Sequence, residues 1–143
     1  MLHMFVHVLP GLVGLVIAAV VVLWLGSRDQ KAVMTAVLAC WLAATAGQVL
    51  TGKLIAPLIA GDVVFALWLV WFVWRRPAWW AWALFGIEGA RLLLHATQFG
   101  EPWLPYKTLN NSLSLAALFL LALAAVLHAR RPRAAEPEAA PAE

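Results

Sequence analysis

Five apolar runs follow one another along the chain: Phe5–Leu25, Ala32–Leu50, Leu54–Trp74, Trp79–Gln98 and Thr108–His128. Each approaches the roughly 20 residues that carry a helix across the hydrocarbon core of a bilayer. Short polar or Gly/Pro-bearing breaks separate them, from Gly-Ser-Arg-Asp-Gln-Lys after the first to Phe-Gly-Glu-Pro-Trp-Leu-Pro after the fourth. The pattern predicts an all-α integral membrane protein, a five-span transmembrane helical bundle within residues 1–129. Residues 130–143, rich in Pro, Ala and Glu, are expected to form a disordered cytoplasmic tail. The third run carries Pro57, Gly61 and Asp62 in its first half, so a shorter helix from about Asp62 is the alternative there. The first run has no basic leader and no small-x-small cleavage site before Arg28, so it is expected to persist as a span.

Composition agrees with this pattern. Of 143 residues, 64% are hydrophobic and 12% charged, with mean hydropathy +0.87. A soluble domain runs near about 45–50% apolar and about 25% charged, and the excess is expected to face lipid. The net charge of +3 does not point to nucleic acid, because the basic residues stand singly or in pairs between apolar runs. They read instead as topology signals. Arg28, Lys31, Arg75, Arg76, Arg130, Arg131 and Arg133 fall on one face, against Lys53 and Lys107 on the other. That bias places the N-terminus outside and the C-terminus in the cytoplasm, in a bacterial inner membrane. The lone cysteine, Cys40, excludes an intrachain disulfide and reads as a small core residue.

Helices in lipid pack along small residues. Such stripes run through His7, Gly11, Gly14 and Ala18, through Ala36, Ala39, Cys40, Ala43 and Gly47, and through Asn110, Ser114, Ala117, Leu121, Ala124 and His128. Trp24, Trp71, Trp74, Trp79, Trp80 and Trp82 sit near the expected cytoplasmic ends, where an interfacial aromatic belt belongs. In span count and Trp content alone the chain resembles the tryptophan-rich sensory proteins, whose Pro- and Trp-bearing loop motifs it lacks.

One polar cluster stands out. Glu88, Arg91, His95 and Gln98 fall within an arc of about 80° on the fourth helix. At 1.5 Å per residue Arg91 lies about 10 Å from the outer end of its span and Asp62 about 12 Å from the outer end of the third. The depths match, and Asn110 and Ser114 belong to the same outward half. Charged groups in hydrocarbon face the bundle interior and pair there. Asp62 and Glu88 against Arg91 leave one negative charge, which a proton on a carboxyl or on His95 would cancel. Glu88, about 15 Å deep, is the expected holder of that proton, with His95 as its relay.

The expected function follows: a small non-enzymatic membrane protein with an outward-facing polar pocket made of Asp62, Glu88, Arg91, His95, Gln98, Asn110 and Ser114, binding or translocating a small solute or a proton. The competing expectation is an accessory or assembly subunit of a larger membrane complex, with the charges as helix–helix glue. Partners are the lipid bilayer and either further copies of the chain or a larger complex. No cofactor is expected. His3, His7 and His95 share one membrane face and are weak candidates for a metal or haem. No GxSxG, HExxH, P-loop or GxGxxG pattern is present.

Overall fold

In the computed structural model the described residues are 2–52, 56–97 and 104–131, with side chains from Gly11 onward except 104, 105 and 107. They form five helices: α1 (Leu2–Leu25), α2 (Arg28–Thr51), α3 (Ala56–Arg75), α4 (Trp79–Thr97) and α5 (Leu104–Ala129). Three are long and apolar enough to cross a membrane, namely α2, α3 and the Thr108–Ala129 stretch of α5. The expected tail beyond residue 131, along with Lys53 and Gln98, lies outside the described residues.

The helix boundaries follow from caps that periodicity alone does not display. Residues Gly26 to Lys31 were expected as a break, yet only Gly26 and Ser27 separate α1 from α2. Ser27 Oγ accepts from the Gln30 N–H at 3.3 Å, and Gln30 Oε1 accepts from the Ser27 N–H at 2.8 Å. This reciprocal box satisfies two of the first-turn donors and lets the helix begin among charged residues. At the other end of α2, Gly52 takes φ 66°, the left-handed cap that glycine adopts without a Cβ penalty, and its N–H returns to the Gln48 carbonyl at 3.0 Å.

α3 runs unbroken from Ala56, so the shorter alternative from Asp62 does not occur. Pro57 falls in the first turn, where a backbone N–H has no intrahelical acceptor to lose. Gly61 lies where an added Cβ would stand 3.4 Å from both the Cys40 carbonyl and the Ala44 Cβ, so α2 and α3 approach closely there. α5 starts four residues before the expected Thr108, with Pro105 again in the first turn.

α1 packs along α5, α2 along α3, and α4 lies between α3 and α5; α2 touches α1 and α5 more lightly. The turn at Gly26–Ser27, the turn at Arg76–Ala78 and the end of α5 share one end, the basic end, where Arg76 pairs with Asp29. The apolar core occupies that half. It joins Ala18 and Val22 of α1, Val33 and Met34 of α2, Leu69 and Phe72 of α3, Trp80 and Leu84 of α4, and Leu121 and Ala125 of α5. The outward faces are apolar as well, with Val16, Leu50, Leu67 and Phe119 all exposed. Soluble monomers rarely present so much contiguous apolar surface.

Two packing expectations need correction. On α2 the buried stripe is rotated: Ala39 and Ala43 are exposed, while Cys40, Ala44 and Gly47 face α3. A Cβ on Gly47 would stand 2.9 Å from the Pro57 Cβ, a ring that cannot swing away, so this is the tightest point between α2 and α3. Among the tryptophans, Trp24 and Trp74 are 81% and 87% exposed, as a belt requires, but Trp80 is 7% exposed. Trp80 packs its ring 5.9 Å from that of Phe72 and is part of the core.

Candidate functional site

At the end of the bundle opposite the basic end, α3, α4 and α5 each turn a polar side chain toward the others. Asp62 enters from the second turn of α3, Glu88, Arg91 and His95 from one stripe of α4, and Tyr106 and Asn110 from the first turns of α5. The i, i+3 and i, i+4 spacings stack the α4 groups on one face. Glu88 is 1% exposed and His95 3%; Asn110 and Tyr106 are also buried.

Arg91 is the hub. Its Nη2 donates to Asp62 Oδ2 at 2.7 Å, and its Nη1 donates to both Glu88 oxygens at 3.0 and 3.1 Å. Its Nε reaches Asn110 Oδ1 at 3.4 Å, a long and correspondingly weak bond. One guanidinium thus bridges two carboxylates and ties three helices together. The buried charge makes sense only as this set, because an unpaired ion in such surroundings costs several kcal/mol, about 3–5 when one partner is removed.

His95 forms a second branch. Its Nε2 lies 2.7 Å from Asp62 Oδ2, the oxygen that also accepts from Arg91, and its Nδ1 lies 2.6 Å from the Tyr106 hydroxyl. Both ring nitrogens therefore have partners. Among the described residues, no buried side-chain nitrogen or oxygen lacks one.

Set against the sequence-derived site, Asp62, Glu88, Arg91, His95 and Asn110 come together. Ser114 does not join them through its side chain: its hydroxyl donates to the Asn110 carbonyl at 2.8 Å, one turn back along α5. Gln98 falls outside the described residues, as do the side chains of His3 and His7. No group of three or more His, Cys, Asp or Glu side chains converges as a metal site among the described residues. His95 in particular has both ring nitrogens engaged.

Tyr106 is the residue that sequence reasoning missed. It is the sole tyrosine of the chain, and its position four before Asn110 continues the α5 stripe backwards. That spacing becomes visible only once the helix is extended through Pro105.

The chain matches no protein-family model, no curated protein and no solved structure.

Proposed function

We propose that this is a non-enzymatic, five-span protein of a bacterial inner membrane, N-terminus outside, whose outward half holds a proton-binding site formed by Asp62, Glu88, Arg91, His95 and Tyr106. The observation that carries the reading is the position of His95 between a carboxylate and a hydroxyl. A neutral ring donates from Nε2 to Asp62 and accepts at Nδ1 from the Tyr106 O–H. A charged ring donates from both nitrogens, and the phenol turns its hydrogen away to become the acceptor. The same heavy-atom contacts serve both states, so one proton enters or leaves with only a hydroxyl rotation.

Charge counting gives the proton a reason to be there. Asp62 and Glu88 against Arg91 sum to one surplus negative charge, and an imidazolium at His95 brings the cluster to zero. Glu88, with both oxygens facing the Arg91 guanidinium, and His95, set between Asp62 and Tyr106, are the two groups over which that proton is shared. A group that exchanges a proton inside a membrane bundle is what proton-coupled binding or movement of a small solute requires.

The test is nitrogen-15 NMR of histidine-labelled protein, with the His95 signal assigned by its loss in His95→Asn. The ring is expected to show both its neutral and its charged signatures as bulk pH changes, while the helical signal is retained. A His95 ring held in one form throughout that range overturns the proposal.

The span count and orientation rest on the basic residues. Arg28, Lys31, Arg75, Arg76, Arg130 and Arg131 all stand at the end that carries the Arg76–Asp29 ion pair, and the positive-inside rule makes that end cytoplasmic. Single cysteines near Lys53 and Trp103, in a Cys40→Ala background, should be labelled from outside by an impermeant thiol reagent. Cysteines near Arg28, Arg76 and Arg131 should be protected until the membrane is opened. External labelling near Arg131 contradicts the five-span assignment.

The second reading, a static cluster in an accessory subunit of a larger membrane complex, draws its support from the pairing of every buried side-chain nitrogen and oxygen among the described residues. Purification in mild detergent separates the two. A self-sufficient binding protein migrates alone or as a homo-oligomer, whereas an accessory subunit brings a stoichiometric partner.

A further inference from the structure

The polar side chains of the cluster form one continuous chain with an outer and an inner end. At the outer end stand His95, two residues before α4 ends at Thr97, and Tyr106, two residues after α5 begins at Leu104. From there the contacts run through Asp62 and Arg91 to Glu88, at separations of 2.6, 2.7, 2.7, 3.0 and 3.1 Å. Each is a hydrogen-bond distance, the separation at which a proton passes between groups.

The chain stops at Glu88. From there to Trp80, about 12 Å along α4 at 1.5 Å per residue, every residue is apolar apart from Trp82, whose indole is exposed. On α5 no polar side chain occurs from 115 to 127, and on α3 only indoles break the apolar run from 63 to 73. Leu69, Leu84 and Leu121, with Val22 and Met34, fill the interior there and are fully buried. Packed apolar space of this kind stays dry. Among the described residues, the next buried polar side chain toward the basic end is Gln30, which belongs to the capping box of α2.

The outer end is different. Both partners of the His95 ring reach the surface: Tyr106 is 8% exposed and the Asp62 side chain 14%. The imidazole therefore has a way out on one side and a dry plug on the other.

We propose that the cluster exchanges its proton with the outer aqueous phase alone, so that the chain registers acidity on that side and conducts no protons. This rests on the proton-binding reading above and narrows it from translocation to sensing. An incoming proton is taken up on the Tyr106 oxygen as the phenol hydrogen passes to His95 Nδ1. The ring becomes an imidazolium that keeps its Nε2–H on Asp62, and the new phenol hydrogen points away. Every helix has been counted. Asp62 faces the ring from α3, Glu88 and Arg91 stand on its own α4, and Tyr106 comes from α5. Cys40 of α2 lies within electrostatic reach of Asp62 and Glu88, and the Gly11–Leu25 stretch of α1 carries no titratable side chain.

Tyr106 is the sole tyrosine, so its phenolic C–O stretch is a private reporter of the ring, a donor when His95 is neutral and an acceptor when it is charged. The band is assigned by its loss in Tyr106→Phe. The whole chain, with a C-terminal affinity tag, is reconstituted into sealed phosphatidylcholine vesicles, and those displaying the tag are removed so that the basic end lies inside. Infrared spectra are recorded with the outer solution acid and the lumen buffered neutral, and then with the gradient reversed. The C–O band should shift with outer acid and stay in place with lumen acid. Entrapped pyranine, under a potassium diffusion potential, should report no proton flux above that of empty vesicles. A band that moves with lumen acid, or only when both sides are acid, overturns one-sided exchange and leaves proton binding standing; so does a flux that His95→Asn abolishes. A band fixed under every condition overturns the proton-binding reading, and this inference with it.

Discussion

Replacing Arg91 with leucine is expected to destabilise the protein by about 3–5 kcal/mol, the cost of leaving a buried ion without its partner. The loss does not fall evenly on the two acids. Asp62 keeps His95 at 2.7 Å, and a proton on that ring restores a counter-charge. Glu88 keeps nothing of the kind: it is 1% exposed and both its oxygens accept from Arg91. The prediction is therefore specific. Arg91→Leu should unfold at much lower denaturant than wild type, and adding Glu88→Gln to it should recover a large part of the deficit. Both are measured by circular dichroism during denaturant titration in mixed micelles. If the second change restores nothing, Glu88 is not the stranded group, and the charge bookkeeping at this end of the bundle is wrong.

How much of this was legible beforehand depends on what kind of information each feature needs. The apolar runs and the depth match between Asp62 and Arg91 are properties of single helices, measurable with a ruler of 1.5 Å per residue. Their meeting at 2.7 Å follows from equal depth plus the cost of an unpaired charge. Helix starts were less legible, because a hydropathy run begins where residues turn apolar, while a helix begins where its first donors are capped. Ser27-x-x-Gln30 was a readable capping box inside a stretch that composition marks as a break.

The rotation of α2 about its axis was not legible. Ala39 and Ala43 are as small as Ala44, and only the approach of Gly61 decides which of them faces α3. Trp80 was misplaced although its signal was present: of Trp79, Trp80 and Trp82 it alone falls on the side of α4 that carries Glu88, Arg91 and His95, and it packs there against Phe72. Tyr106 shows the functional cost of a late helix start. Read as a loop residue before Thr108 it carries no geometry, but in the first turn of α5 it aligns with Asn110 and closes on His95.

The opposite change, leaving Arg91 in place and removing both negative charges, should be as damaging as removing the arginine. Glu88→Gln alone is expected to cost less than about 1 kcal/mol, since surface-independent pairing survives: Asp62 then balances Arg91 with His95 neutral. Asp62→Asn alone should cost more, about 1–2 kcal/mol, because one Oδ2 serves both Arg91 and His95 and an amide oxygen is the weaker acceptor for each. Together they leave a guanidinium whose side chain is 13% exposed with no anion among its bonded partners. The double variant should then lose about 3–5 kcal/mol, well beyond the sum of its parts. Residues that share a partner give coupling energies of about 0.5–3 kcal/mol in such cycles, and here the coupling should be about 2 kcal/mol. The cycle is read from the same denaturant titrations, with the His95 nitrogen signals recorded in each variant. In Glu88→Gln the surplus negative charge is gone, so the charged signature of His95 should no longer be needed for balance and should weaken relative to wild type. Additive losses, with the histidine signature unchanged across the series, would mean that the two carboxylates do not share Arg91 as a common counter-ion. The cluster would then be hydrogen-bonded glue rather than a site that counts protons.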